Sequence, residues 1–266
     1  MKPAPFAYEA PRSVEAALVL LEQHEEAKLL AGGQSLVPVM NFRLARPPLL
    51  VDLNRIDELA YLRKRGRALH IGALTRHATL ERSELVRRGW PLLTQAVRHV
   101  GHPAIRSRGT IGGSCAHADP TAELPVALTA LDARFHLRSR TTTRTLTADE
   151  LFVTHLTTAI RPDEVLVEIE VPPLPDGART AFGEHARTHG DWAIAGAAVI
   201  NAPGHSAIAL LGTAPTPLRA HEAEAARTDG AHAAEAARIA AQLVEDPWKR
   251  ALTAALVRRA LEEARA

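Results

Sequence analysis

The chain has one cysteine, few aromatics, almost no net charge and no long apolar run. Each shortage removes a class of protein. Cys115 alone cannot close an internal disulfide, and it cannot hold an iron–sulfur cluster, which takes about four thiolates. A reducing compartment suits such a chain. Aromatic residues are 4% of the 266, so core volume must come from Leu, Val, Ile and Ala. A net charge of +2, with only short basic clusters such as Arg63–Arg65 and Arg258-Arg259, leaves no arm for nucleic acid. No apolar stretch approaches the roughly 20 residues of a membrane span. The start, Met1-Lys2-Pro3-Ala4-Pro5, carries no apolar signal segment. These features predict a cytoplasmic protein. The 13 histidines are scattered without the spacing of a metal site.

What is present is an ordinary folded composition with two glycine-rich segments. The first is Ala31-Gly32-Gly33-Gln34-Ser35-Leu36. The second is Gly109-Thr110-Ile111-Gly112-Gly113-Ser114, which runs on to Asp119-Pro120-Thr121-Ala122-Glu123. Paired glycines permit positive φ and close approach of a ligand to the backbone. Successive N–H groups in such turns make an anion-binding concavity. Two of these in one fold predict an extended diphosphate ligand, a dinucleotide. Neither segment is a P-loop, because no Lys-Ser/Thr follows the glycines, and neither is the Gly-x-Gly-x-x-Gly of a nicotinamide fold.

Around these segments the pattern alternates strand and helix. Ser13 reads as an N-cap, with Val14, Ala17, Leu18 and Leu21 at helical spacing behind it. Residues 27–30 and 49–53 read as parallel strands flanking the first glycine segment. Residues 69–73 open a second region, followed by helices over 79–86 and 92–100, the latter stopped by Gly101 and Pro103. A helix over 122–131 and strands over 134–138 and 165–171 follow. The stretch 172–177 reads as a linker, and 192–200 with 206–211 as a hairpin. From His221 the chain is helical, and its last segment, 248–264, places Leu252, Leu256 and Ala260 on one face.

Leu30–Pro38 with Asn41-Phe42-Arg43-Leu44-Ala45-Arg46-Pro47, and Ile105–Ser114 with Ala116-His117-Ala118-Asp119-Pro120, resemble the two flavin signatures of a known family. It is the family of FAD-binding medium subunits of aerobic carbon monoxide dehydrogenase, shared with the xanthine dehydrogenase type of molybdenum hydroxylase. Phe6-x-Tyr8-x-x-Pro11, Val51-Asp52-Leu53, Gly190-Asp191-Trp192-Ala193 and Pro215–Ala220 match as well, so the resemblance covers nearly the whole chain.

The resemblance implies an α+β fold: a two-subdomain PCMH-type FAD-binding domain over 1–175, divided near 55, then a small C-terminal α+β domain over 176–266. It implies non-covalent FAD. Ala31, Gly32, Gly33, Gln34, Ser35, Leu36, Thr110, Ile111, Gly112, Gly113 and Ser114 take the cofactor-wrapping positions. His117, Asp119, Glu123 and Leu166 take positions near the cofactor. The implied partners are a molybdopterin-binding large subunit and a [2Fe–2S] small subunit, with electrons relayed through FAD to a terminal acceptor. A stand-alone FAD oxidase or dehydrogenase and a non-catalytic flavin module are the alternatives. The chain departs from the pattern at Glu184, where the family has Lys, and at Trp192, where it has Tyr. Neither glycine segment contains Lys or Arg, so backbone N–H groups, helix ends and hydroxyls must meet the diphosphate charge. Charge-assisted bonds of this kind contribute roughly 1.5–3 kcal/mol each.

Overall fold

The computed structural model describes residues 1–265; Ala266, the last residue of the expected C-terminal unit, lies outside the described residues. The first part contains β1 (Ala7–Glu9), α1 (Val14–Gln23), β2 (Lys28–Leu30), α2 (Leu36–Asn41) and β3 (Leu49–Asp52). The strands form a parallel sheet in the order β1-β3-β2. The expected helix behind Ser13 is there. The Ser13 hydroxyl accepts from Ala16 N at 3.2 Å, and Val14, Ala17, Leu18 and Leu21 are its buried face. That face packs on β3 in a core with Leu49, Val51 and Leu53.

The second part begins with two 3-10 turns over 53–59, then β4 (Leu62–Arg65) and β5 (Ala68–Gly72). Six helices follow: α3 (His77–Arg82), α4 (Glu84–Gly89), α5 (Pro91–Val97), α6 (Pro103–Arg108), α7 (Ile111–His117) and α8 (Glu123–Ala130). Next come β6 (Arg134–Arg138), β7 (Thr143–Leu146), α9 (Ala148–Leu151), β8 (Phe152–Thr154), β9 (Thr157–Thr158) and β10 (Val165–Val171). An antiparallel sheet runs β4-β5-β10-β6-β7. Three expectations change here. The helix over 79–86 is two helices, because the Ser83 hydroxyl accepts from Val86 N and starts a new one. Pro103 opens α6 instead of only ending its predecessor, since proline fits the first helical position. The second glycine segment is the start of helix α7, not an open loop.

The last part holds β11 (Arg179–His185), β12 (Ala195–Ala202), β13 (His205–Leu211), β14 (Leu218–Arg219), α10 (His221–Thr228), α11 (Ala233–Ala241) and α12 (Pro247–Glu263). The strands form an antiparallel meander. Alternation along the strands gives this sheet two apolar faces. Phe182, Ala198 and Ile200 join the core around α5 and α8, while Ala181, Ala197 and Val199 pack with α10–α12. On α12 the buried residues are Thr253, Val257, Ala260 and Leu261. The expected stripe of Leu252 and Leu256 is therefore turned by one position and lies at the edge of the contact. Among the described residues no helix is long and apolar enough to cross a membrane.

Candidate functional site

The first glycine segment leaves the end of β2 as an open turn. Gly33 sits in the left-handed region at φ +73, which favours glycine. Among the described residues, no acceptor takes the N–H of Gly33, Gln34 or Ser35. The Gln34 side chain donates back to Gly32 O at 3.1 Å and closes the turn on itself. The Ser35 hydroxyl makes no hydrogen bond there either. Three successive N–H groups and a hydroxyl thus have no partner among the described residues, the arrangement of donors that a concave turn presents.

The second segment is built differently, and the expectation of a second open concavity does not hold. Ile111 N donates to Thr75 O at 3.0 Å, Gly112 N to Ala73 O at 2.9 Å, and Ser114 N to Thr110 O at 3.0 Å. Gly113 N donates to the Thr110 hydroxyl, the N-cap of α7, at 3.1 Å. None of Gly109, Gly112 and Gly113 has positive φ. Their role is close approach. A Cβ on Gly112 would lie 2.6 Å from Ala73 O, one on Gly113 2.7 Å from the Thr110 hydroxyl, and one on Gly109 2.8 Å from His77 Nδ1.

The two segments touch. A Cβ on Gly32 would lie 2.5 Å from Arg108 O and 2.8 Å from Gly109 Cα, and one on Gly113 would meet Ala31 Cβ at 3.6 Å. Asn54 and Arg76, neither anticipated, clamp the junction. Asn54 Nδ2 donates to Ala31 O at 2.8 Å, and Arg76 donates to Asn54 Oδ1 at 2.6 Å and also to Arg108 O. A guanidinium therefore stands between two segments that contain no cation of their own. Burial, then the charge of Arg108, pushes its pKa down. No signal in the sequence marks Asn54 or Arg76, because each acts from a distant segment.

The remaining expected residues follow α7. His117 ends the helix half-buried, and burial pulls its pKa down against the opposing effect of Asp119. Ala118 caps it at φ +51. Asp119 Oδ1 accepts from Thr121 N at 2.8 Å and from the Thr121 hydroxyl at 2.7 Å, so it shapes the turn. Glu123, in the first turn of α8, is 9% exposed. Burial pushes its pKa up to about 8, and the carboxylates of Glu184 and Asp119 add to the shift. Leu166 is buried on β10, a strand that packs against α7. Ala31–Leu36 and Thr110–Ser114 are therefore adjacent, His117–Glu123 lie at the far end of α7, and Leu166 is in the core.

The residues fit a dinucleotide whose diphosphate is met by N–H groups and hydroxyls. Cys115 is fully buried and burial raises its thiol pKa, which leaves it inert toward a covalent flavin link. His77 lies under the second segment, and among the described residues neither of its buried ring nitrogens has a hydrogen-bond partner. Burial pushes its pKa down to about 4.

Comparison with known proteins gives a consistent picture. Residues 4–174 match the family described as the FAD binding domain in molybdopterin dehydrogenase. The chain is 48% identical over 84% of its length to the alpha subunit of the 6-hydroxypseudooxynicotine dehydrogenase complex of Paenarthrobacter nicotinovorans, covering 78% of that subunit. The fold superposes on a chain of carbon monoxide dehydrogenase from Hydrogenophaga pseudoflava with a TM-score of 0.94 and 41% identity, covering 99% and 98% of the two chains. A chain of quinoline 2-oxidoreductase from Pseudomonas putida 86 gives a TM-score of 0.92 at 32% identity, with 99% and 98% covered.

Proposed function

This chain belongs to the FAD-binding family of the molybdopterin dehydrogenases, and from that premise we propose that it is the flavin subunit of a multi-subunit hydroxylase, working beside a molybdopterin-binding subunit and a [2Fe–2S] subunit. Bound FAD supplies a centre that takes up and releases electrons singly or in pairs. The residues of this chain bind and orient it. The N–H groups of Gly33, Gln34 and Ser35 and the hydroxyls of Ser35 and Ser114 hold the diphosphate, with Arg76 behind them as the nearby cation. Gly32 and Gly113 keep Cβ atoms out of the narrow space between the segments. Ile111 and Gly112 anchor α7 on Ala73 and Thr75, and Asp119 sets the turn that presents Glu123.

The observation that carries this reading is the pairing of one open, N–H-rich turn with a helix start held immovably against it. Binding is non-covalent, so acid precipitation should release all of the flavin as FAD. The relay role is tested anaerobically. The isolated chain should be reduced by dithionite but not by hydroxylation substrates, and addition of the two partner subunits should restore reduction by substrate. Fast reduction of the isolated chain by a substrate of its own would instead identify a stand-alone dehydrogenase.

A further inference from the structure

The basic run Arg63–Arg65, a short cluster in the sequence, makes up most of β4, and the flavin site leaves it unused. β4 is an end strand of the five-stranded sheet and pairs with β5 alone. Gly72 N donates to Tyr61 O at 2.9 Å, and Arg63 and Arg65 stand opposite His70 and Ala68. Hydrogen-bonded pairs alternate along an antiparallel ladder. Arg63 and Arg65 therefore bond to β5, and the N–H and C=O groups of Leu62 and Lys64 point away from it. No described residue bonds to those outward groups. An edge of this kind is a template for one more strand.

The same edge forms one side of a groove, with α3 and α4 on the other. Leu62 lies on the core face of the sheet, opposite Ile71, and alternation puts Lys64 on that face too. Beside Leu62 is a hollow of about 440 Å³ lined by Ala78, Thr79, Arg82 and Ser83. Beside Lys64 is one of about 570 Å³, lined by the apolar Leu85, Trp90 and Leu174 and by Arg67 and Arg88. Leu62 and Lys64 are two residues apart, the side-chain period of a strand. Same-face side chains of an added strand would therefore fall one into each hollow. The far end is held in place, because Trp90 Nε1 donates to Pro172 O at 2.7 Å and pins the run Pro172-Pro173-Leu174-Pro175. A groove formed in advance lowers the ordering cost of binding.

Charge selects the occupant. Lys64, Arg67, Arg82 and Arg88 line the two hollows against one carboxylate, Glu84, in a chain with 32 basic and 30 acidic residues overall. Lys64 and Arg82 have no ion-pair partner among the described residues. Arg67 has Asp176 at 3.4 Å with both side chains mostly in water, and Arg88 shares Glu84 with Arg87. Exposed pairs of this kind contribute little. On the opposite face of β4, Arg63 lies over the Tyr61 ring at 4.7 Å, and Arg65 is 56% exposed. A second copy of β4 would set these cations against their own kind. A segment with acidic residues meets opposite charge on both faces.

We infer that the β4 edge takes an extended acidic segment of a partner protein as a sixth strand of the sheet, with apolar side chains in the two hollows and carboxylates toward Arg63 and Arg65. Backbone bonds to Leu62 and Lys64 supply affinity, and the alternating side chains supply specificity. The surface is additional to the flavin site and does not depend on the flavoprotein reading.

The test uses the full chain as purified and a fluorophore-labelled Glu-Val-Glu-Val-Glu-Val peptide with blocked ends, titrated by anisotropy at low salt. Binding should saturate. The amides of Leu62 and Lys64 should gain protection from hydrogen exchange, while those of Arg63 and Arg65 stay as they were. A peptide with Lys in place of Glu should bind at least about tenfold more weakly. Lys64→Pro removes one outward donor at an edge position that accepts proline. It should weaken the acidic peptide about fivefold or more, with the fold retained by circular dichroism. If that variant does not fold, wild type decides with two further peptides, one N-methylated on every Val and one on every Glu. Only alternate amides can face β4, so one of the two should bind at least about fivefold more weakly than the parent. No saturable binding of the acidic peptide, equal binding of the lysine peptide, or full binding by Lys64→Pro overturns the inference. So does binding of both methylated peptides at the parent's strength. Protection of the same two amides that grows with protein concentration and needs no peptide would assign the edge to a second copy and overturn the choice of partner.

Discussion

The two glycine segments look like copies in the sequence and are opposites in the structure. In 31–35 the glycine at 33 is used for its φ, and three N–H groups stay free. In 109–114 every N–H from Ile111 to Ser114 is engaged inside the protein, and the glycines are used for proximity. One segment leaves its N–H groups free; the other is tied into the protein as a wall and gives the first its shape. A Gly-Gly pair thus means either a backbone conformation or a distance, and only its surroundings tell which.

The most severe way to break the wall is at Gly112. A methyl there would lie 2.6 Å from Ala73 O, the same oxygen that Gly112 N–H donates to, so neither the turn after β5 nor the helix can move away without losing the bond. Overpacking of this kind costs roughly 1–3 kcal/mol in cores that adjust. This one drives a Cβ into a hydrogen-bonded backbone carbonyl that cannot give way, and Gly112→Ala should reach the upper end. The melting temperature of the flavin-free protein should fall by about 6–10 °C. An unchanged melting curve would show that the second segment is not a wall.

The wall is also where the buried titrating groups lie. His77 beneath it has a pKa lowered from 6.5 to about 4, and Glu123 beyond it has one raised from 4.5 to about 8, each chiefly by burial. The signs oppose. Stability linked to neutral His77 is full above pH 6.5 and is lost as pH falls toward 4. Stability linked to neutral Glu123 is full below pH 4.5 and is lost as pH rises through 8. Between 4.5 and 6.5 the two trends cancel, and from 6.5 to 8 Glu123 acts alone. Urea midpoints of the flavin-free protein should then decline over that upper range, by the equivalent of about 2 kcal/mol. Glu123→Gln should flatten the decline. A wild type with no slope between pH 6.5 and 8 would remove Glu123 from the buried set.

The open turn should respond in the other currency, affinity. Gly33→Ala imposes positive φ on an alanine, about 1–2 kcal/mol of strain. Its Cβ meets only the side chains of Val37 and Leu30, at 3.2 and 3.3 Å, which can shift. The protein should stay folded while FAD affinity falls more than about tenfold, since several charge-assisted bonds depend on that turn. If Gly33→Ala bound FAD like wild type, the free N–H groups would have no part in binding.

How much of this was legible in the sequence follows from where the information resides. Helix α1 could be read because its cap and four buried residues are local and periodic. The parallel β2–β3 pair could be read because both strands are short apolar runs flanking a turn. Helices α6 and α7 could not, because Pro103 and Gly112-Gly113 read as breakers; proline suits a first helical position, and glycine is accepted where Ala73 leaves no room. Strand β11 was missed because its residues make sense only once β12 lies beside them. The site divides the same way. The glycine segments announced themselves, whereas Asn54 and Arg76 are consequences of chain folding.

The smallest effects separate the two segments most cleanly, because they come from matched hydroxyls. The Thr110 hydroxyl caps α7 by accepting from Gly113 N, while the Ser35 hydroxyl bonds to nothing within the described residues. Thr110→Val keeps shape and removes the acceptor, so it should lower stability by about 1 kcal/mol, the usual loss of an N-cap. FAD affinity should change less than about threefold, because the diphosphate is assigned to the free N–H groups of the first segment. Ser35→Ala should do the reverse: stability within about 0.5 kcal/mol of wild type, as for a substitution that breaks no internal bond, and FAD affinity lower by about threefold to tenfold. Denaturant midpoints and FAD titrations on the same two preparations decide it. A Thr110→Val protein that loses FAD but not stability would mean that the capping hydroxyl turns outward to the ligand, and the contrast between open turn and fixed wall would fail at that residue.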